Sequence, residues 1–470
     1  MVAQFVRSAA LLFSDAAVVG VAALLPVQDR HGVFRNTGFA QGQAYDLIQG
    51  YDAAASWIVD HVADWPSFHS RWGGCTAASC ATTFIRTFGE AAFRRPLTDT
   101  EVQAFQPILD AAVAATLSYN DTVKLLGRAF LQSPEFLYLF EDSLLTDYQL
   151  ASRLSYFLTN GPPDQALYAT AKAQTLHQPA VLGAQIDRLL AGDLTPFARE
   201  FALDYLDLSR ATTRNVTTDP TVIAQFVSSA VETFASLVQN DQPIGSILTT
   251  ESFASNSATA MWITGQPSSS ATTLSPTASY PFMGLLTHPA TLISMSNAVF
   301  GSTVSRGIFV ADQMLCLPPT PPPPQAFQPG DVAGVLPANP TQRDYGEARM
   351  ADPRCGICHK QFESFSFGLN KWGGDGLFKT DPALKDDGPV LTALGTIQFG
   401  SYKDYLPQLA GSAQFEHCVT DQLLRYGLQH TQYPPDLAVA VLTAAKTNAS
   451  KVTFRALIKA LTTQAIFTTK

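Results

Sequence analysis

The sequence predicts a mainly α-helical, multi-domain protein in which a proline-rich strut leads to a C-terminal segment with a CxxCH motif. Apolar residues recur at helical spacing along most of the chain, and alternating strand patterns are few. At 470 residues, the chain is long enough for about two to four domains of ordinary size. The strut is the run LPPTPPPPQAF at 317–327.

Capping signals mark the starts of two predicted helices. In RRPLTDTEVQAFQPIL, Thr98 is predicted to cap a helix, because Glu101 follows three residues later in the capping-box pattern. In LQSPEFLYLFE, Ser133 is predicted to cap a helix that has Pro134 at its first position.

Apolar periodicity predicts further helices. In LTDYQLASRLSYFLTNGPPD, the side chains of Leu150, Leu154, Phe157 and Leu158 fall on one helical face, and the Gly-Pro-Pro at 161–163 should end that helix. The segments TPFAREFALDYLDL and TVIAQFVSSAVETFASLV repeat the pattern, and the chain beyond residue 403 is again helical in pattern.

Changes in composition divide the chain into four predicted regions. Residues 254–280 are rich in Ser, Thr, Ala and Pro, which indicates a long surface loop or a domain boundary. The proline run should adopt an extended polyproline II conformation and act as a semi-rigid strut. The regions are an N-terminal helical region at 1–143, a central helical domain at 144–275, a connecting segment with the strut at 276–327, and a haem c-like C-terminal domain at 328–470.

Charge and hydropathy exclude two classes of protein. A net charge of −9 argues against a nucleic-acid-binding protein, which needs a basic face to meet phosphates. The apolar stretch AAVVGVAALLP at 16–26 is far shorter than the roughly 20 residues of a membrane span. A secretory signal peptide is not evident, because Asp15 interrupts the apolar run after Arg7 and no clear cleavage site follows.

The chain has six cysteines, and two of them form the CxxCH motif. Cys75 and Cys80 flank a short loop of Thr, Ala and Ser, CTAASC, and are a possible disulfide. Cys316 and Cys418 are the remaining possible pair, although spacing alone does not fix connectivity. Four reduced, buried thiols are the alternative, because cysteine often serves as a small core residue.

The motif CGICH at 355–359 predicts one covalently attached haem c. In such attachment, two thiols add across the vinyl groups of the haem, and the adjacent histidine is the proximal iron ligand. Cys355 and Cys358 are therefore the predicted attachment residues and His359 the predicted proximal ligand. A zinc site would need a second pair of ligands, and a thioredoxin-type motif would need a βαβ unit; neither pattern surrounds this motif.

The ligand on the opposite face of the iron is left open by the sequence. No methionine occurs after Met350, so the usual downstream methionine ligand is missing. The candidates are Met350, Met295, His288, His417 and His430. An open, five-coordinate iron is the alternative, and it would permit peroxide or small-ligand chemistry.

Several ordered motifs resemble a group of multi-domain proteins of unknown function from planctomycetes and myxobacteria. That group is associated with a planctomycete-type cytochrome c segment near the C-terminal end. The resemblance runs from about residue 30 to about 465 and is carried by AFRRPLTDTE at 92–101, LLGRAFLQSPEFLYLFE at 125–141, LASRLSYFLTNGPPDQAL at 150–167, GLLTHPATL at 284–292, SRGIFVADQMLCLPPTPPPP at 305–324, CGICHKQFESFSFGL at 355–369 and FEHCVTDQLLRYGL at 415–428. It implies an exported, largely helical protein with a cytochrome c-like segment at 328–470.

The chain departs from this group at two positions near the motif. Relatives commonly have an Asp-Pro pair where this chain has Glu363-Ser364, and they often have a histidine where this chain has Arg349. The loss of that histidine leaves the carried-over iron ligands uncertain in this chain.

The expected function is therefore that of an exported haem c protein in electron transfer, located in the periplasm or outside the cell. The expected partner is a redox protein, or an extracellular surface or polysaccharide. One alternative is a peroxidase-like haem enzyme with an open distal site. Another is a helical binding or scaffold protein in which the haem is structural.

Overall fold

The structure is a computed structural model of the chain, and it describes residues 2–26, 33–36, 45–74, 80–213, 218–267, 272–296, 301–321, 336–392, 395–429, 432–448 and 451–469. Helices dominate these residues and strands are few, which confirms the predicted mainly α-helical class. The chain divides into two compact units. The four-region division predicted from composition stays a prediction.

The first unit consists of Met1–His31, Arg35–Phe197 and Leu461–Lys470. Its helices are Val2–Leu12, Tyr45–Asp60, Trp65–Arg71, Ala81–Phe93, Asp99–Ala104, Gln106–Ala114, Tyr119–Gln132, Pro134–Leu137, Asp147–Thr159, Gln165–Lys172, Pro179–Ala191 and Ala465–Thr468, with short 3-10 helices at Ala16–Val18 and Val21–Leu24.

The second unit consists of Gly32–Phe34 and Ala198–Ala460. Its helices are Pro220–Gln239, Ser246–Thr249, Ser257–Thr264, Pro289–Ser294, Thr303–Phe309, Gln342–Ala351, Gly356–His359, Tyr402–Ala410, Ala413–Leu428 and Leu437–Asn448, with 3-10 helices at Leu208–Thr213, Leu285–Thr287 and Glu363–Leu369 and a π-helix at Val310–Met314. In the sequence, the divisions between the units fall within the helices Thr195–Tyr205 and Phe454–Thr462.

Strands contribute two small antiparallel pairs in the second unit. Phe253–Ala254 pairs with Thr273–Leu274, and Val390–Thr392 pairs with Gly395–Ile397. The strand Thr273–Leu274 and the helix Ser257–Thr264 fall in the segment 254–280, for which the sequence predicted a surface loop or boundary. Ser and Thr lower helix propensity only slightly, and the Asn256 side chain caps this helix by accepting a hydrogen bond from the Thr259 amide.

Both sequence-predicted capping positions begin a helix. The Thr98 hydroxyl accepts from the Glu101 amide while the Glu101 carboxylate accepts from the Thr98 amide, so the capping box is complete. A hydrogen bond from Arg95, opposed by burial, lowers the pKa of Glu101 to about 2. Ser133 begins the helix Pro134–Leu137, but its hydroxyl donates to the Phe130 carbonyl instead of capping.

Replacing Thr98 with alanine should lower the free energy of unfolding of the first unit by about 1 kcal/mol, because the Glu101 amide loses its side-chain acceptor. Urea unfolding checks this expectation. Thr100→Ala is the matched control, since Thr100 is exposed inside the same helix and alanine is the better helix former. Equal losses in the two variants would contradict the capping role.

The core of the first unit is built on phenylalanine. The ring of Phe88 contacts the rings of Phe13, Phe84 and Phe130 at centroid distances of 5.3, 4.9 and 5.4 Å. Phe105 stacks on Phe130 at 4.2 Å. Such aromatic pairs combine a large buried apolar area with preferred ring geometry, so they fix how the helices that carry them pack.

The helix Asp147–Thr159 is buried on more faces than its pattern predicted. Leu150, Leu154, Phe157 and Leu158 are buried as expected, but so is Arg153. The Arg153 guanidinium donates to the Glu141 carboxylate and to the carbonyls of Phe467 and Thr469, so a buried charge is paired and the C-terminal residues are held in the first unit. The helix ends at Thr159, before the Gly-Pro-Pro, as predicted.

The core of the second unit centres on Phe201. Its ring contacts Phe234 at 5.8 Å and both Tyr426 and Phe454 at 5.5 Å. These residues come from four segments of the unit, and all are buried. The core therefore joins the start of the unit to the helices that follow the CxxCH motif.

Among the described residues, one helix is long and apolar enough to cross a bilayer. It is Pro220–Gln239, and half of its apolar stretch is buried inside the protein, including Phe226 and Phe234. Because core helices also meet this test, it is weak evidence for a membrane span.

Candidate functional site

The CxxCH motif forms one turn of helix in the second unit. Cys355 precedes the helix Gly356–His359, and the His359 amide donates to the Cys355 carbonyl at 3.0 Å. In a helix, residues three positions apart lie on the same face, so the two cysteine side chains are neighbours. Both are free thiols and both are partly exposed.

Glycines let the backbone around the motif pack closely. A Cβ on Gly356 would lie 2.6 Å from the Met350 carbonyl oxygen, closer than real Cβ atoms approach. A Cβ on Gly307 would lie 2.5 Å from the Phe362 carbonyl oxygen. The helix Thr303–Phe309 therefore lies directly against the chain that follows the motif.

His359 is held by the buried carboxylate of Glu363. The Nδ1 atom of His359 lies 2.6 Å from Glu363 Oε2, and the Glu363 side chain is completely buried. Because an ionised carboxylate only accepts hydrogen bonds, Nδ1 carries the proton. No described residue forms a hydrogen bond with Nε2 of His359, so that nitrogen is open to another ligand.

Glu363 accepts further hydrogen bonds from two other elements. Thr303 donates its hydroxyl to Oε1 at 2.7 Å, Arg349 donates through Nε to Oε2 at 3.1 Å, and Arg349 Nη2 forms an ion pair with Oε1. Burial raises the pKa of the Glu363 carboxyl, but the hydrogen bonds from His359, Arg349 and Thr303 outweigh it, so the pKa lies below its ordinary value. We call Thr303, Arg349, His359 and Glu363 the Glu363 network.

A second buried cation fixes the segment that follows Glu363. The Arg306 guanidinium donates to the carbonyls of Leu369, Trp372 and Gly373 at 2.6–2.8 Å. Burial lowers the pKa of Arg306 to about 10, and the nearby Asp375 opposes that shift. Arg306 thus stays charged at neutral pH and holds the 3-10 helix Glu363–Leu369 against the helix Thr303–Phe309.

Asp375 stabilises the turn formed by the glycine-rich segment KWGGDGLF at 371–378. Its carboxylate accepts from the Leu377 amide at 3.0 Å and pairs with Lys379 at 2.9 Å. Trp372 and Phe378 bridge across this turn.

The candidate distal ligands lie at different positions. Met350 lies near the end of the helix Gln342–Ala351, just before the motif, and is partly buried. Met295 is buried after the helix Pro289–Ser294, and His417 is partly buried in the helix Ala413–Leu428. His430 lies outside the described residues. No described hydrogen bond or ring contact joins Met350, Met295 or His417 to His359.

His288 already uses both ring nitrogens. Nδ1 accepts from the Ala290 amide at 3.2 Å, so Nε2 carries the proton and donates to the Ser229 hydroxyl at 3.1 Å. The side chain is fully buried, and burial lowers the pKa of His288 to about 3. Iron ligation by this residue would require at least one of these hydrogen bonds to break.

One of the two possible disulfides is present among the described residues. Cys316 and Cys418 are bonded and lie 102 positions apart in the sequence. Cys75 lies outside the described residues, so its pairing with Cys80 stays a prediction.

Residues 322–327 of the proline run also lie outside the described residues.

The donor set around the motif matches the requirements of a haem c. Two free thiols one helical turn apart could each form a thioether, and the histidine beside them presents an unbonded Nε2. The carboxylate on its Nδ1 is the outer-shell partner that orients metal-binding histidines. Among the described residues, no cluster of three or more His, Cys, Asp or Glu side chains could hold a separate metal ion.

Comparison with protein families agrees with the resemblance seen in the sequence. PSD5, a protein of unknown function (DUF1595), matches residues 80–141, and PSD4, a protein of unknown function (DUF1592), matches residues 145–262. PSCyt3, a protein of unknown function (DUF1588), matches residues 283–382. Three segments of this chain match planctomycete cytochrome-like families.

The PSCyt3-like segment contains both the CxxCH motif and the whole Glu363 network. No curated protein and no solved structure is significantly similar to the chain.

The sequence did not predict the Glu363 network. The spacing of His359 and Glu363 is i, i+4, which places two side chains on one helical face and was an available signal. Arg349 and Thr303 lie 14 and 60 positions before Glu363, so their contact depends on the tertiary fold. The two departures from the family pattern, Arg349 and Glu363, thus form an ion pair with each other.

Proposed function

We propose that this chain is an exported c-type haem protein that transfers electrons. One haem would be bound covalently by Cys355 and Cys358, with Nε2 of His359 as the proximal iron ligand. The observation that carries the proposal is the state of His359, whose Nδ1 is bonded to a buried carboxylate while Nε2 has no partner among the described residues. When bound, a haem supplies an iron that exchanges single electrons.

The protein's own residues would set the position and basicity of the proximal ligand. Glu363 fixes the tautomer of His359 and makes the imidazole a stronger electron donor, as outer-shell carboxylates do at metal sites. Thr303 and Arg349 hold Glu363 in turn, so the orientation of His359 depends on two further elements of the unit. Ile357, between the two thiols, is 72% exposed and offers an apolar surface beside the attachment site.

The proposal includes a location in the periplasm or outside the cell. The disulfide between Cys316 and Cys418 supports this, because disulfides persist in oxidising compartments. A redox protein is the proposed partner, and an extracellular surface or polysaccharide is a further candidate. The ligand on the distal face of the iron decides between electron transfer and a peroxidase-like activity.

Haem attachment is tested by producing the chain in a periplasm with the haem-attachment machinery. We expect c-type bands in the pyridine haemochrome spectrum at about one haem per chain, and their loss in Cys355→Ala/Cys358→Ala. Cys316→Ala/Cys418→Ala is the matched control, because it removes two cysteines but leaves the motif. It should keep the bands.

The spectrum of the intact protein then separates the proposed functions. A low-spin, six-coordinate spectrum supports electron transfer, and a high-spin spectrum would instead support a peroxidase-like enzyme with an open distal face. An absence of c-type bands in wild-type protein that is folded by circular dichroism would overturn both and leave a helical binding or scaffold protein.

A further inference from the structure

The first unit contains a cavity of about 630 Å³ that is lined by arginines. This volume lies within the roughly 300–1,000 Å³ typical of small-molecule sites. Arg7, Arg71 and Arg94 contribute to its lining, while the protein as a whole carries a net charge of −9. Three cations around one cavity in an acidic protein indicate a local preference for negative charge.

The two carboxylates of the cavity do not neutralise these arginines. Asp164 forms a two-point ion pair with Arg188, at 2.7 and 3.0 Å. Glu90 accepts from the Tyr168 hydroxyl at 2.7 Å and from Lys172 at 3.2 Å. Both acidic groups are therefore already paired with residues other than the three arginines.

Arg94 supplies a buried charge at one end of the cavity. It is 6% exposed, and it donates to the carbonyls of Glu135, Phe136 and Tyr138 and to the Tyr156 hydroxyl. These neutral acceptors satisfy its N–H groups but leave its charge uncompensated, and no described carboxylate forms an ion pair with it. Arg94 would thus attract an anion through its charge and not through a new hydrogen bond.

Arg71 and Arg7 have donors that are free for a ligand. The guanidinium of Arg71 lies over the ring of Trp72, 4.8 Å from its centroid, in a cation–π contact that favours one position for it. The stem of Arg7 packs against Gly161. Both side chains are exposed, and none of the described residues accepts a hydrogen bond from either guanidinium.

The rest of the lining is part apolar and part polar. Its apolar part includes Leu11, Leu12, Phe136, Pro162 and Leu189, and its polar part includes several Ser and Thr side chains. Arginine forks bind carboxylate and related oxyanions by paired hydrogen bonds, and apolar walls favour a hydrocarbon body.

We propose that this cavity binds a small organic anion, with its oxyanion group on Arg7 and Arg71 and its apolar body against the leucine and proline walls. The proposal does not depend on haem binding, because all the lining residues belong to the first unit. The charge of Arg94 adds to the attraction.

A matched pair of probes tests the proposal on the full chain. Isothermal titration at low salt should show that 2-naphthoate binds about tenfold or more tightly than 2-naphthamide, which has the same shape without the charge. Arg71→Gln and Arg7→Gln should each weaken 2-naphthoate binding about 3- to 10-fold and leave 2-naphthamide binding unchanged. Added salt should weaken binding of the anion alone.

Arg86→Gln is the control, because Arg86 is exposed on the helix Ala81–Phe93, pairs with Asp99 and does not line the cavity. It should bind 2-naphthoate like wild type. The proposal is overturned if acid and amide bind equally, if Arg86→Gln weakens binding as much as Arg71→Gln, or if neither probe binds at millimolar concentration. Because Arg7, Arg71 and Arg86 are all exposed, circular dichroism should show folded variants.

Discussion

Glu363→Ala should lower the stability of the region around the CxxCH motif by about 3–5 kcal/mol, the usual cost of breaking a buried ion pair by removing one partner. Glu363 is completely buried and accepts hydrogen bonds from His359, Thr303 and Arg349. Its removal leaves the Arg349 guanidinium and the buried Thr303 hydroxyl without their carboxylate acceptor. The Arg349 side chain is 21% exposed, and Thr303 is buried.

Hydrogen exchange of the segments 303–309 and 363–369 is the most direct measurement, because it reports local opening of the elements joined by Glu363. Both segments should exchange faster in the variant. Glu347→Ala is the matched control, since Glu347 is an exposed partner of Arg343 on the helix Gln342–Ala351. We expect it to change stability by less than about 0.5 kcal/mol.

Two further variants separate charge from shape. The double variant Arg349→Met/Glu363→Leu should be more stable than Glu363→Ala, because an apolar pair can replace a buried ion pair without leaving an unpaired charge. Glu363→Gln keeps the shape of the side chain but replaces one carboxylate oxygen with an NH₂ group. That group faces hydrogen-bond donors of the Glu363 network and cannot accept from them. Exchange rates like those of wild type in Glu363→Ala would contradict the role assigned to this carboxylate.

Glu363→Gln also has a consequence for the proposed haem site. If the glutamine amide donates to Nδ1 of His359, the imidazole proton moves to Nε2, the nitrogen proposed to bind iron. We therefore expect Glu363→Gln to keep the covalent haem but weaken proximal ligation, which would appear as a changed optical spectrum.

Removing the disulfide between Cys316 and Cys418 should destabilise the second unit by about 3–5 kcal/mol. The bond joins residues 102 positions apart, and a loop of about 100 residues is worth about 4.7 kcal/mol in the chain-entropy account. The reason lies mainly in the unfolded chain, which gains conformational freedom once the cross-link is lost.

Urea unfolding of wild-type protein and Cys316→Ala/Cys418→Ala, each with and without a reductant, measures this contribution. The reductant should lower the midpoint of the wild-type second unit to that of the variant and leave the second-unit transition of the variant unchanged, since Cys75 and Cys80 belong to the first unit. The dependence on urea should also become steeper, because an unfolded chain without the cross-link exposes more surface. A wild-type midpoint that does not respond to complete reduction would contradict the expectation.

Local features of this fold could be predicted from the sequence, and long-range ones could not. The Thr98–Glu101 box and the end of the helix at Thr159 depend on residues within one or two turns, so a pattern is sufficient. The helix Ser257–Thr264 was not predicted because its composition, rich in Ser, Thr and Ala, resembles that of a loop, although Asn256 was a usable capping signal.

The candidate site shows the same division. Cys355, Cys358 and His359 are contiguous, so their chemistry is readable from spacing alone. The residues that orient His359 come from three elements, and Arg7 and Arg71 of the proposed anion site lie more than 60 positions apart in the sequence. Such sets are formed by tertiary packing, which leaves no periodic signal in the sequence.

The burial of the cysteines has a consequence for how the protein matures. The second unit holds four cysteines, of which Cys355 and Cys358 are free and would have to stay reduced for the proposed haem attachment, while the other two are oxidised to each other. Cys418 has no exposed surface, whereas Cys355 and Cys358 are partly exposed. Once this unit has folded, an attacking thiolate cannot reach the Cys418 sulfur, but Cys316 is partly exposed, so attack on the disulfide is restricted to that one sulfur. Thiol exchange with the motif cysteines would therefore release Cys418 as the leaving thiolate.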